Sequence, residues 1–235
     1  MTMTDHHPDT PRNRGDSDAP HMSPVTPQED FRTIMLNRVS WAAVLAGVVV
    51  SLVTQLLLNM LGLGLGLVNA FKRVVSPALV LAYSVVEGVF IGGMSKVFET
   101  MFPGVVTGAV LGTVAAFAGT LAAYKYFNIK VTERFRRYVV AAMFGFVAVS
   151  LLDFGLHFFG ASFGFNGLGT VGLIASVVGL GIGVLMLILD FDYVEQGVAA
   201  GAPESESWRA AFGLTVTIVW IYIELLRILA IFRGE

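Results

Sequence analysis

Six acids and one histidine stand in or beside apolar runs, where charge is costly. Three of the acids close a long apolar run in "LDFDYVEQG": Asp190, Asp192 and Glu195. Glu87 lies in the middle of another, "AYSVVEGVFIGG". Asp153 and His157, in "LLDFGLHFF", are four apart and share one helical face. Glu224, in "WIYIELLRIL", has Arg227 one turn further on. Carboxylates so placed can take up and release protons. They can also offer oxygen to a hard cation such as Ca2+, which takes about six to eight oxygen ligands.

The cost of such groups decides what they must do. An ionised side chain at the centre of a bilayer costs about 2.5–3.5 kcal/mol even on lenient insertion scales. Three of them left alone would cost on the order of 10 kcal/mol, as much as a whole domain's stability. They must therefore be neutral, paired, or turned toward a wet cavity. Glu224 and Arg227 can neutralise each other within one helix. Asp153 and His157 sit toward the end of their run, where they can reach the headgroups. Asp190, Asp192 and Glu195 can be solvated acids at a helix end, or part of a site. Glu87 has no basic residue within a turn, which argues for an interior role.

The elements that must position these groups are membrane helices. The chain is 55% hydrophobic and only 14% charged, against about 25% charged in a soluble domain. Six apolar stretches, near 39–69, 77–98, 104–127, 138–160, 168–189 and 209–232, each approach the roughly 20 residues a helix needs to cross a bilayer. They are continuous rather than alternating, which excludes a β-barrel. The fold class expected is all-α, a polytopic helical membrane bundle of about six transmembrane helices over residues 39–235. Residues 1–38 form a polar tail, expected to be disordered; its first thirty residues hold five of the eight prolines and no apolar run. Those thirty residues lack the apolar core of a secretory signal.

Glycine, at 26 residues, is spaced largely in fours. Gly88 and Gly92, then Gly104, Gly108, Gly112 and Ala116, then Ala175, Gly179 and Gly183 each make a small-residue face that allows close helix approach in lipid. Basic residues set orientation. Lys72 and Arg73, together with the cluster Lys125, Lys130, Arg134, Arg136 and Arg137, place the 72–73 and 125–137 loops in the cytosol. The stretch "DFDYVEQGVAAGAPESES" then reads as a cytosolic loop.

Enzyme chemistry is not expected. No cysteine is present, and the apolar region has one histidine where a zinc site needs three ligands. "GLGLG" at 62–66 has no lysine at phosphate-loop spacing. His6, His7 and His21 lack a metal-ligand pattern. The formal net charge of −2 gives no reason to expect nucleic acid.

Three blocks, "SPALVLAYSVVEGVFIGG", "LDFDYVEQGVAAGAP" and "AAFGLTVTIVWIYIELLRILAIF", resemble the bacterial branch of the Bax inhibitor family over roughly residues 71–233. The opening "NRVSWAAVLAGVVVSLVTQLLLNMLGLGLGL" departs from it and is similar to another group of bacterial membrane proteins. The resemblance implies a seven-helix protein of the bacterial cytoplasmic membrane that leaks calcium in a pH-dependent way. It implies a latch of two aspartates on the last two helices with a basic partner on an earlier helix. Asp190 falls on the first latch position. The second falls near Thr217, which does not titrate, so Glu224 is the nearest acid on that helix. Lys72 or Arg73 falls near the basic partner.

The reading that follows is a pH-sensitive cation leak with Asp190 and Glu224 as the gate. Glu87 lines the path, Asp192 and Glu195 its mouth, Asp153 and His157 line the path or belong to its network, and Asp190, Glu224 and Glu87 hold Ca2+ transiently in one shared cavity. Arg227, Lys72 and Arg73 are the basic partners, and no resident cofactor is expected. The alternatives are a non-conducting partner of another membrane protein, such as a membrane protease complex, and a proton-coupled transporter. No inverted repeat speaks for the transporter.

Overall fold

The computed structural model describes residues 57, 60–71 and 75–234. The tail over 1–38, most of the first expected span, and the expected basic partners Lys72 and Arg73 lie outside the described residues. What is described is entirely helical: α1 (Met60–Phe71), α2 (Pro77–Met101), α3 (Val105–Tyr126), α4 (Glu133–His157), α5 (Thr170–Ala199) and α6 (Glu204–Gly234). The last five are each long and apolar enough to cross a membrane.

The helix ends follow from local chemistry. Pro77 opens α2 at a position whose N–H would have no helical partner in any case. The α2–α3 turn bends at Gly104, in the left-handed region at φ 86°. There Glu99 of α2 accepts from the free N–H groups of Gly104 (2.7 Å) and Val106 (3.1 Å), so one helix caps the next. Thr132 caps α4 by accepting from Phe135 N at 3.2 Å.

The expected loop "DFDYVEQGVAAGAPESES" is a correction. The helix runs on through the acids to Ala199, and α6 begins at Glu204, so only residues 200–203 connect them. An apolar run marks where lipid ends, whereas a helix ends where the backbone is broken. Here Gly201, at φ 61°, and Pro203 do the breaking.

α6 is the packing centre. It lies against α5, α3 and α2, while α4 packs on α5. Val105, Ala109, Tyr222 and Leu226 form one buried cluster of α3 and α6. Tyr124, Leu187, Phe191 and Ile221 form a second that joins α3, α5 and α6.

The small-residue faces divide. A Cβ on Gly108 would stand 3.0 Å from Leu229, and one on Gly112 would stand 3.1 Å from Leu225. On α5, a Cβ on Gly179 would meet Phe146 and Glu224 at 2.8–2.9 Å, and one on Gly183 would meet Ile221 at 2.8 Å. Both faces serve α6, as close packing requires. Gly88 and Gly92 meet no described atom within 4 Å.

Candidate functional site

The α5–α6 seam carries the candidate residues at successive heights. Near its middle, Asp190 of α5 accepts a hydrogen bond from Thr217 Oγ1 of α6 at 2.6 Å. Gly213, one turn before Thr217, leaves room for the carboxylate, which would stand 3.4 Å from a Cβ there. Toward the end of α5, Asp192 is 7% exposed and accepts from Arg136 of α4 (3.0 Å) and from Gln196 (2.7 Å). Glu195 accepts from Tyr124 OH of α3 at 2.5 Å. Tyr193 donates to Glu206 across the α5–α6 connection, and Arg209 Nε donates to the same carboxylate at 3.0 Å. The acids that close the apolar run therefore tie α5 to α3, α4 and α6.

In the other direction along α6, Glu224 is 4% exposed and pairs with Arg227 (Nη1 to Oε2, 3.2 Å), as their spacing predicts. Gly179 of α5 lies against that carboxylate, and Trp220 donates Nε1–H to the Gly179 carbonyl at 2.9 Å. Phe146 of α4 packs edge-on against Trp220. Arg227 also donates Nη2 to the carbonyl of Phe165 at 2.8 Å.

Asp153 corrects another expectation. It does not reach toward headgroups; it is 3% exposed and bonded by the α4–α5 connection. His157, on the same face one turn later, is exposed in the last turn of α4. Glu87 is half-buried on α2 and lies against Gly62 of α1, whose Cβ position would be 3.2 Å from its Oε2.

Among the described residues the three acids have different neighbours. Glu87 faces α1, Asp190 faces Thr217, and Glu224 faces Gly179 and Arg227. Gly179 and Asp190 are eleven residues apart on α5, roughly 16 Å of helix at 1.5 Å per residue. Among the described residues no three acidic or histidine side chains gather as a metal site. The expected Ca2+ grouping of Asp190, Glu224 and Glu87 is not seen among the described residues, and Asp190 and Glu224 stand at different levels of the α5–α6 seam.

Sequence reasoning missed Arg136 as the partner of Asp192. The pair is 56 residues apart, and the only signal was that Arg136 belonged to a basic cluster. It also missed Tyr124 and the backbone donors around Asp153.

Long apolar helices with carboxylates stitched between them define a multi-pass membrane protein of the helical-bundle class. A family model described as "Bax inhibitor 1 like" matches residues 31–234, and the chain belongs to that family. The match begins ahead of the 71–233 stretch that carries the resemblance. An uncharacterized protein from Chlamydia muridarum (strain MoPn / Nigg) is similar at 37% identity over 73 residues. That similarity spans 31% of this chain and 31% of the relative.

Proposed function

We propose that the chain is a cation leak, with Ca2+ as the permeant ion, gated at the Asp190–Thr217 contact. The supporting observation is the 2.6 Å hydrogen bond that joins α5 to α6 where the resemblance puts a two-aspartate latch. Thr217, not Glu224, is the partner of Asp190. With one titratable carboxyl at the contact, the pH response follows a single proton rather than a pair sharing one.

The test is Ca2+ efflux from liposomes holding the purified protein, followed from about pH 5 to pH 8. Efflux above empty vesicles is expected, with a one-proton profile that Asp190→Asn flattens. Efflux equal to that of empty vesicles at every pH would refute the reading.

A second reading, a non-conducting partner of another membrane protein, draws on α2. Its Gly88 and Gly92 face is unfilled by any described atom, and Val85 and Val89 beside it are exposed. Absence of flux, with a membrane protein co-purifying with the chain and lost on Gly88→Leu, would favour it.

A further inference from the structure

The end of the bundle where α4 finishes and α5 begins carries a device that the leak reading does not use. Residues 158–169 fold back onto the helices. Asp153 is the clasp: its Oδ1 accepts from Ser162 Oγ (3.1 Å) and Phe163 N (2.8 Å), and its Oδ2 accepts from Asn166 N (3.0 Å). Asn166 and Ser150 exchange two more bonds. Ser150 Oγ donates to Asn166 Oδ1 (2.6 Å), and Asn166 Nδ2 donates to the Ser150 carbonyl (2.7 Å). Arg227 of α6 holds the Phe165 carbonyl at 2.8 Å.

On the α5 side the approach is closer still. A Cβ on Gly172 would stand 1.9 Å from the Gly167 carbonyl oxygen, so only glycine lets the segment lie on the first turn of α5. Beneath lies a cavity of about 280 Å³ whose lining includes Phe146, Ser150, Asn166, Trp220, Glu224 and Arg227. Among its polar lining are the buried ion pair and the Asn166–Ser150 contact. Arg227 belongs to both systems: one of its nitrogens serves Glu224 and the other serves the segment's backbone.

We propose that residues 158–169 are a strap that covers one side of the Glu224–Arg227 cavity at the end of the bundle away from the α5–α6 connection, with Asp153 as its clasp. The bonds that hold it are of two kinds. Those between Asn166 and Ser150 are exposed and easily exchanged for water. Those of Asp153 are sheltered and charge-assisted. Such a segment opens as a local unit, without unfolding the helices it bridges. Opening it exposes the ion pair to water and frees one Arg227 donor. This inference does not rest on conduction, because its readout is access to the cavity and not flux.

The chain has no cysteine, so a single introduced thiol reports cleanly. Ile223→Cys lines the cavity and Ala161→Cys lies on the exposed strap. Each is placed in the full-length protein in lipid nanodiscs, where both faces meet solvent, and treated with a membrane-impermeant maleimide. Ile223→Cys is expected to react at least about tenfold more slowly than Ala161→Cys. Adding Asn166→Ala or Gly172→Ala should speed its labelling by about tenfold, as expected for a local opening. Equal rates for the two thiols in the parent would overturn the strap. So would an unchanged Ile223→Cys rate in the loosened variants, provided they remain monodisperse. If Gly172→Ala does not fold, Asn166→Ala, whose side chain is exposed, decides alone.

Discussion

Thr217→Val is the most direct probe of the α5–α6 contact. Valine keeps the shape of the side chain and deletes the hydroxyl that donates to Asp190 Oδ2 at 2.6 Å. Thr217 is 5% exposed, so water has little access to replace it. In soluble proteins, orphaning a buried acceptor costs about 1–3 kcal/mol. Between membrane helices, measured couplings average about 0.6 kcal/mol and reach about 1.7. The membrane scale governs here, because a chain unfolded within lipid also finds partners for its polar groups. A double-mutant cycle over Thr217→Val, Asp190→Ala and the pair should thus give a coupling of about 0.5–1.5 kcal/mol. The assay is reversible denaturant unfolding in mixed micelles, with helicity as the signal. Additivity within about 0.3 kcal/mol would refute the idea that this bond joins the two helices.

Two further predictions concern packing and charge. Gly179→Ala should destabilise by about 1–3 kcal/mol, because its Cβ would meet Phe146 and Glu224 at 2.8–2.9 Å and Phe146 is held between Phe165 and Trp220. Gly88→Ala should be neutral or stabilising by up to about 1 kcal/mol; thermal midpoints in one detergent compare the two, and equal losses would contradict the division of small-residue faces. Arg227→Met should lower the midpoint more than the double change Glu224→Met with Arg227→Met, since breaking a buried pair leaves a charge behind while removing both does not. The reverse order would show that the pair itself supplies the stability.

The spans were legible because lipid imposes a length and a composition that few other environments require. Their ends were less so. Hydropathy located the close of the apolar run at Leu189, but the helix stops only at Gly201 and Pro203, ten residues and more beyond. The Glu224–Arg227 pair was legible because a helix fixes neighbours three apart. Arg136 and Asp192 meet only once α4 lies on α5, and no local pattern encodes that meeting. Asp153 was misread for a different reason. Two of its donors are backbone N–H groups, at Phe163 and Asn166, and every residue but proline carries one. The glycine faces of α2 and α3 look alike in sequence, yet only that of α3 meets leucines of α6.

The separation of the acids carries a physical lesson about how this bundle tolerates charge. A shared pocket would set like charges against one another and need water or a cation to relieve them. Distribution through the bundle avoids that: Asp192 has Arg136, Glu224 has Arg227, Glu195 has a tyrosine hydroxyl and Asp153 has two backbone donors and a serine hydroxyl. Each acid also crosses between elements or sits where elements meet, so its neutralisation and the assembly of helices are one event. Asp190, like Glu195, is held by a hydroxyl and not by a cation among the described residues. For Asp190 that hydroxyl is Thr217's, across the α5–α6 contact. Of the seam carboxylates, Asp192 and Glu224 are held by a cation and Asp190 and Glu195 by a hydroxyl of another helix, so the two hydroxyl contacts tie α5 to α6 and to α3.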